Sequence, residues 1–266
     1  MSHAETAPHH LVTDRPDAAI RRIGIPDLRD SLRDGWNDFL KHPSHNVFLA
    51  VLYPVVGMLL GLFVAGGNAM DLLYPLISGF ALVGPLAALG FYEISRREQM
   101  GERVPWTRAF DVLRGPAALA IIQIAILLTA IFVLWLICAH ALFTYLLPGA
   151  EGQDLGGLLR TIFSTSEGWA LIVVGNALGF IFAAVAFSVS VVSLPYIVDR
   201  KGGAAPAVAT SFRAVRANPL PMAAWGLVVA ALLVLGSLPF LMGLAVVVPV
   251  LGHATWHLYR RLVIAD

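Results

Sequence analysis

Charge is what this 266-residue chain has least of. Asp, Glu, Lys and Arg make up 13% of it against 58% hydrophobic residues, where soluble domains carry about 25% charged residues. That composition excludes an ordinary water-soluble globule. Cysteine is nearly absent: Cys138 stands alone, which excludes an internal disulfide and a cysteine metal cluster and leaves a packing role. The net charge of +1 offers no excess for a nucleic-acid partner. Among motifs, there is no nucleotide-binding loop and no acidic metal cluster. No Ser-His-Asp series can be assigned to one side of a membrane. The N-terminal "MSHAETAPHHLVTDRPDAAIRR" lacks the apolar core of a signal peptide, and residues 1–26 are expected to form a disordered cytoplasmic tail.

The charges that are present leave long gaps. His42–Met70, Leu72–Tyr92, Gly115–Ala150, Gly168–Val198 and Ala217–Tyr259 contain no Asp, Glu, Lys or Arg. A membrane-crossing helix needs roughly 20 apolar residues, and the last gap is long enough for two, separated at "GSLP" (Gly236–Pro239). The expectation is six spans: 47–66, 72–94, 117–146, 168–192, 220–236 and 239–259. The runs are continuous rather than alternating, so they predict helices and not a β-barrel. The fold class is therefore all-α, a polytopic membrane domain over 27–266 behind the 1–26 tail.

Basic residues are one-sided. Arg21, Arg22, Arg29, Arg33 and Lys41 precede the first span. Arg96, Arg97, Arg103, Arg108 and Arg114 lie between the second and third, and Arg200, Lys201, Arg213 and Arg216 between the fourth and fifth. Arg260 and Arg261 follow the sixth, and the other side has only Arg160. The positive-inside rule puts both termini in the cytoplasm, and the expected location is a bacterial inner membrane.

A unit recurs three times: an amphipathic cytoplasmic segment, a proline, then two spans. The openers are "DLRDSLRDGWNDFLKHP" (Asp27–Pro43), "PWTRAFDVLRGP" (Pro105–Pro116) and "AVATSFRAVRANP" (Ala207–Pro219). In the first, Leu28, Leu32, Trp36, Phe39 and Leu40 share a helical face. With four aspartates against three basic residues it is a poor anionic-lipid anchor, and docking on the protein's own bundle or on a partner is the better expectation. Two spans per unit give a parallel repeat, consistent with a pseudo-threefold arrangement.

Candidate chemistry is sparse. Glu93 is expected to pair with Arg96 at the end of its span, and Gln123 and Asn176 to bond across helices. Gly175 and Gly179 form a GxxxG suited to close helix packing. His253 and His257, four residues apart, share a face. Two histidines do not make a zinc site, and "HATWH" lacks the glutamate of HExxH. A four-histidine cluster would need His42 and His45 to join them. No metal and no cofactor is assigned. Aligning "PLAALGFYEISRR" (Pro85–Arg97) with "PVLGHATWHLYRR" (Pro249–Arg261) matches Tyr92 to Trp256, Glu93 to His257, and Arg96 and Arg97 to Arg260 and Arg261. An aromatic residue followed by paired arginines reads as a membrane-interface cap. Only His253 falls outside that pattern, which marks it as the position whose partner matters.

Four stretches, "RRIGIPDLRDSLRDGWNDFLKHP", "GPLAALGFYEISRR", "VVSLPYIVDRKG" and "GHATWHLYRR", together resemble an uncharacterised family of bacterial integral membrane proteins, catalogued as a domain of unknown function. Some members are labelled cytochrome c oxidase subunit I-like. The resemblance implies an inner-membrane protein and carries no site residues. A haem–copper subunit requires many intramembrane histidines, and here only His140 lies well inside an apolar run. The functional expectation is a non-enzymatic accessory, assembly or membrane-organising protein. It would contact the bilayer and another membrane complex. A small-molecule transporter or channel is the alternative, and metal or haem binding the third reading.

Overall fold

A computed structural model describes residues 19–41, 74–76, 84–102, 111–151, 153–239 and 241–264. Its elements are α1 (Ile25–Lys41), α2 (Leu89–Gln99), α3 (Ala118–Leu146), α4 (Leu155–Ser164), α5 (Ser166–Ser190), α6 (Ser193–Arg200), α7 (Ala204–Ala217), α8 (Pro219–Ser237) and α9 (Leu244–Leu262). Three helices among the described residues are long and apolar enough to cross a membrane: Ala118–Leu146, Ser166–Arg200 and Pro219–Ser237. They are the third, fourth and fifth expected spans; the third and fifth agree to within a residue at each end, and the fourth runs eight residues further than the expected 168–192. The first expected span, His42 and His45 lie outside the described residues, as does much of the second span and of the Pro105–Pro116 opener. The sixth expected span is α9, a helix with twelve buried residues whose C-terminal half carries two histidines and two arginines.

Each long helix buries one stripe and turns the rest outward. On α3 the buried residues are Ala120, Ile121, Ile124, Leu128, Trp135, Ala139 and Phe143, spaced as one helical face. Leu119, Ile126 and Ile137 on α3, Val173, Phe180 and Ile181 on α5, and Leu227, Val234 and Leu235 on α8 are exposed. Burial of such a side chain is worth about 1.5–3 kcal/mol. Nine left in water would forgo on the order of 20 kcal/mol, more than the roughly 5–15 kcal/mol net stability of a domain. Lipid is the solvent that removes this penalty.

Gly179 seats the α3–α5 pair, with the Trp135 ring 3.2 Å from where its Cβ would be, and Gly175 faces Leu142. The expected GxxxG contact is thus internal. Asn176 takes a 2.8 Å hydrogen bond from the Tyr74 hydroxyl, the cross-segment bond anticipated for it. Gln123 does not behave that way: it is exposed and makes no hydrogen bond among the described residues. The α8–α9 turn closes where Gly243 meets the Gly236 backbone, a carbonyl oxygen 2.7 Å from the would-be Cβ.

The core gathers at one end of the bundle. Leu194, Ile197, Met222, Trp225, Trp256, Leu258 and Leu262 are fully buried there. The helices α2, α6 and α9 touch pairwise, α1 lies along α9, and α7 lies on α6. Residues 19–24, assigned from sequence to the tail, are held to the rest of the chain by hydrogen bonds, with Ile23 buried. Arg21 N–H donates to Leu262 O, Ile264 N–H donates to Ala19 O, and Ile20 bridges Val263. Asn218 fixes the same segment, accepting from Ile23 N–H at 2.8 Å and donating to Arg21 O at 3.1 Å. The start and end of the helical domain are therefore joined.

Candidate functional site: a buried polar clasp

Small residues bring α1 against α9. Ser31, Gly35 and Asp38 recur at helical spacing on the buried face of α1. A Cβ at Gly35 would stand 2.5 Å from Ala254 N and 2.7 Å from Ala254 Cα, so only glycine permits this approach. On the far side of α9, the Cβ position of Gly252 lies 2.8 Å from Phe91 Cβ on α2. Helix α9 is held between α1 and α2, and His253 lies between Gly252 and Ala254 in this contact zone.

The polar side chains that meet there are Asp38, Ser95, His253 and His257. Ser95 Oγ–H donates to Asp38 Oδ2 at 2.8 Å, and His257 Nε2 lies 2.8 Å from the same oxygen. An ionised carboxylate only accepts, so the His257 ring nitrogen donates. With its proton committed to Asp38, the Ser95 oxygen accepts from His253 Nδ1–H, 2.7 Å away. Phe91 stacks edge-on against the His253 ring, centroids 5.2 Å apart. Gln99 reaches the other nitrogen of His257 at 3.4 Å. Lys41 closes the open side, 3.3 Å from Asp38 Oδ1 and 2.7 Å from Glu98 Oε1.

Burial is the largest influence on the Asp38 carboxyl and raises its pKa. The hydrogen bond and charge of His257, the Ser95 hydroxyl and the charge of His253 outweigh it and hold the group at about 2. The hydrogen bond to Glu98 raises the Lys41 ammonium. Both groups are thereby kept charged.

The expectation that no Ser-His-Asp set shares one side is corrected: helix packing assembles one from α1, α2 and α9. Its wiring differs from that of a nucleophile. The Ser95 hydroxyl is fully buried and bonds directly to the carboxylate, whereas an activated serine gives its proton to a histidine that the carboxylate orients. His253 thus finds its partner in Ser95. The apolar face expected on α1 is split in the structure: Leu28 and Phe39 are buried, Trp36 and Leu40 are exposed, and Asp38 joins the buried side. The signal was the Ser31–Gly35–Asp38 row, small residues at helical spacing that mark a close contact.

The four arginines expected to cap spans are bound within the protein. Glu93 receives Arg96 through two 2.8 Å hydrogen bonds and also pairs with Arg97, as anticipated for Glu93. Arg97 further approaches Asp111 at 3.5 Å. Arg260 lies 3.2 Å from Asp199, which also accepts from the Tyr259 hydroxyl at 2.7 Å. Arg261 binds Asp34 at 2.6 Å and Ser31 at 3.2 Å. Tyr92 and Trp256, the aromatic members of the two caps, are 2% and 1% exposed and sit in the core. Where the sequence pattern puts those rings at the headgroups, they pack among protein side chains. Among the described residues no three His, Cys, Asp or Glu side chains are grouped to hold a metal ion.

The exposed apolar helices and the one-ended core are the form of an integral membrane protein. Residues 73–199 match the family described as predicted integral membrane protein (DUF2189). That DUF2189 segment begins after α1 and ends within α6, so it contributes Ser95 to the clasp while Asp38, His253 and His257 come from outside it. Its function is unknown. No curated protein and no solved structure matches the chain.

Proposed function

We propose that the protein is a non-enzymatic membrane-organising or assembly protein of a bacterial inner membrane, with both termini in the cytoplasm. The observation that carries this reading is the use of its polar side chains. Asp38, Ser95, His253 and His257 tie together the first, a middle and the last described helix. Glu93, Asp199 and Asp34 do the same for the arginines. These groups hold helices together, and their clustering at one end matches the arginine-rich side.

The three-unit organisation is part of the proposal. Opener α1 of the first unit rests on α9 of the third, and opener α7 of the third rests on α6 of the second. Asp111, in the second opener, pairs with Arg97 of the first unit's α2. The first and third openers thus rest on helices that end other units, and the described end of the second opener lies beside α2, which supports a cyclic arrangement of the three units. Registers agree as well. Counting back from Pro43 and Pro219, Ser31, Gly35 and Asp38 correspond to Ala207, Ser211 and Ala214, and all six are buried.

The test is extraction of the full chain from its native membrane in mild detergent, followed by reconstitution in liposomes. The organising role predicts a stable association with another membrane complex and no solute flux. A protein that runs alone and supports solute flux would move the reading to a small-molecule transporter. Metal or haem binding requires His253 and His257 to meet His42 or His45. An optical spectrum and metal analysis of the purified protein check it.

A further inference from the structure

The outer face of α1 has a different character from the helix as a whole. Ile25, Arg29, Arg33, Trp36 and Leu40, spaced four, four, three and four residues apart, form one stripe, and all five are exposed. Trp36 is 45% and Leu40 58% exposed. Neither Arg29 nor Arg33 makes an ion pair or hydrogen bond among the described residues, in contrast to the arginines of α2 and α9. The aspartates that made the whole helix look acidic are turned elsewhere. Asp27 accepts from Gly24 N–H, Asp34 binds Arg261 and Asp38 is in the clasp. Asp30 alone stays exposed, about 100° round the helix from Arg29 and off the stripe. The outward stripe is therefore apolar and cationic, and three of the four carboxylates are engaged by partners within the protein.

We propose that this stripe is a docking site for anionic phospholipid headgroups, with Trp36 and Leu40 at the acyl boundary and Arg29 and Arg33 on the phosphates. The occupant is set by charge complementarity and by place. Two uncommitted guanidiniums stand one and two turns before an exposed indole on the same stripe, on a helix whose next residues lead into an apolar run. The third opener shares the exposed aromatic position, although alanines stand where Arg29 and Arg33 would fall. Phe212 of α7 stands seven residues before Pro219 as Trp36 stands before Pro43. Phe212 is 40% exposed with Arg216 exposed beside it. This inference requires only that the chain be embedded in a membrane, and it survives if the organising role fails.

The experiment uses the full chain in nanodiscs, with the emission of Trp36 isolated as the difference between wild type and Trp36→Phe. Nitroxide-labelled phosphatidylglycerol is compared with identically labelled phosphatidylcholine at equal mole fraction. The expected result is stronger quenching by phosphatidylglycerol, a preference that falls about fivefold for each arginine replaced in Arg29→Gln and Arg33→Gln and weakens in salt. Phosphatidylcholine should still quench Trp36 in the double variant, which shows that the helix has kept its place. Equal quenching by both lipids in wild type overturns the proposal. Quenching by aqueous iodide with none by either lipid also overturns it, and leaves the stripe open to a soluble partner.

Discussion

Replacing Asp38 by asparagine probes the clasp with almost no change of shape. The carboxyl falls from its ordinary 3.8 to about 2 in the folded protein. At about 1.4 kcal/mol per unit, its interactions favour the charged form by about 2 kcal/mol. The folded pKa is depressed, so this stabilisation is fully present above about pH 4 and is lost as pH falls towards about 2. Asp38→Asn should therefore lower stability by about 2 kcal/mol at neutral pH, a shift of several degrees in a thermal scan. The gap between variant and wild type should close on acidification through that window. Full-length protein in detergent, followed by tryptophan emission on heating, gives the measurement. In the double variant Asp38→Asn/His257→Ala the losses should sum to less than the separate effects, because the two side chains touch. Equal stability of Asp38→Asn and wild type at neutral pH, or a gap that persists unchanged to pH 2, would refute the reasoning.

Other substitutions test neighbouring contacts. Gly35→Ala puts a methyl group against Ala254 backbone atoms that cannot yield. It should cost about 1–3 kcal/mol, with partial recovery in Gly35→Ala/Ala254→Gly, read by the same thermal scan. Glu93→Gln leaves Arg96 and Arg97 without their shared carboxylate and should cost about 3–5 kcal/mol, visible as loss of the monodisperse peak on size exclusion. Asn218→Ala deprives Ile23 N–H and Arg21 O of their partner. A loss of about 1–3 kcal/mol is expected, with faster hydrogen exchange confined to residues 19–24.

The apolar runs made α3, α5 and α8 legible because a lipid-facing helix is apolar on nearly every side, so its average hydropathy matches its environment. Averaging is also why α9 was read as a simple span. Its apolar residues set the mean, while His253 and His257 project onto polar partners that the mean conceals. Helix α4 lies between the third and fourth expected spans, where Asp154 caps Gly157 N–H at 3.0 Å and Leu155, Leu158, Leu159 and Ile162 follow at helical spacing. The clasp was least accessible. His257 and Asp38 are 219 residues apart, and no local spacing says which opener covers which inner helix. Only Gly35 and the unmatched His253 pointed towards it.

The central claim is that α1 is an integral part of the bundle, locked to α9, and not a loose cytoplasmic arm. Hydrogen exchange of the full chain in lipid nanodiscs tests it most directly, comparing peptides from Ile25–Lys41 and Leu244–Leu262. The account predicts that the two helices are protected together and that Asp38→Asn releases α1 first. Rapid exchange throughout α1 beside a protected α9 would contradict it.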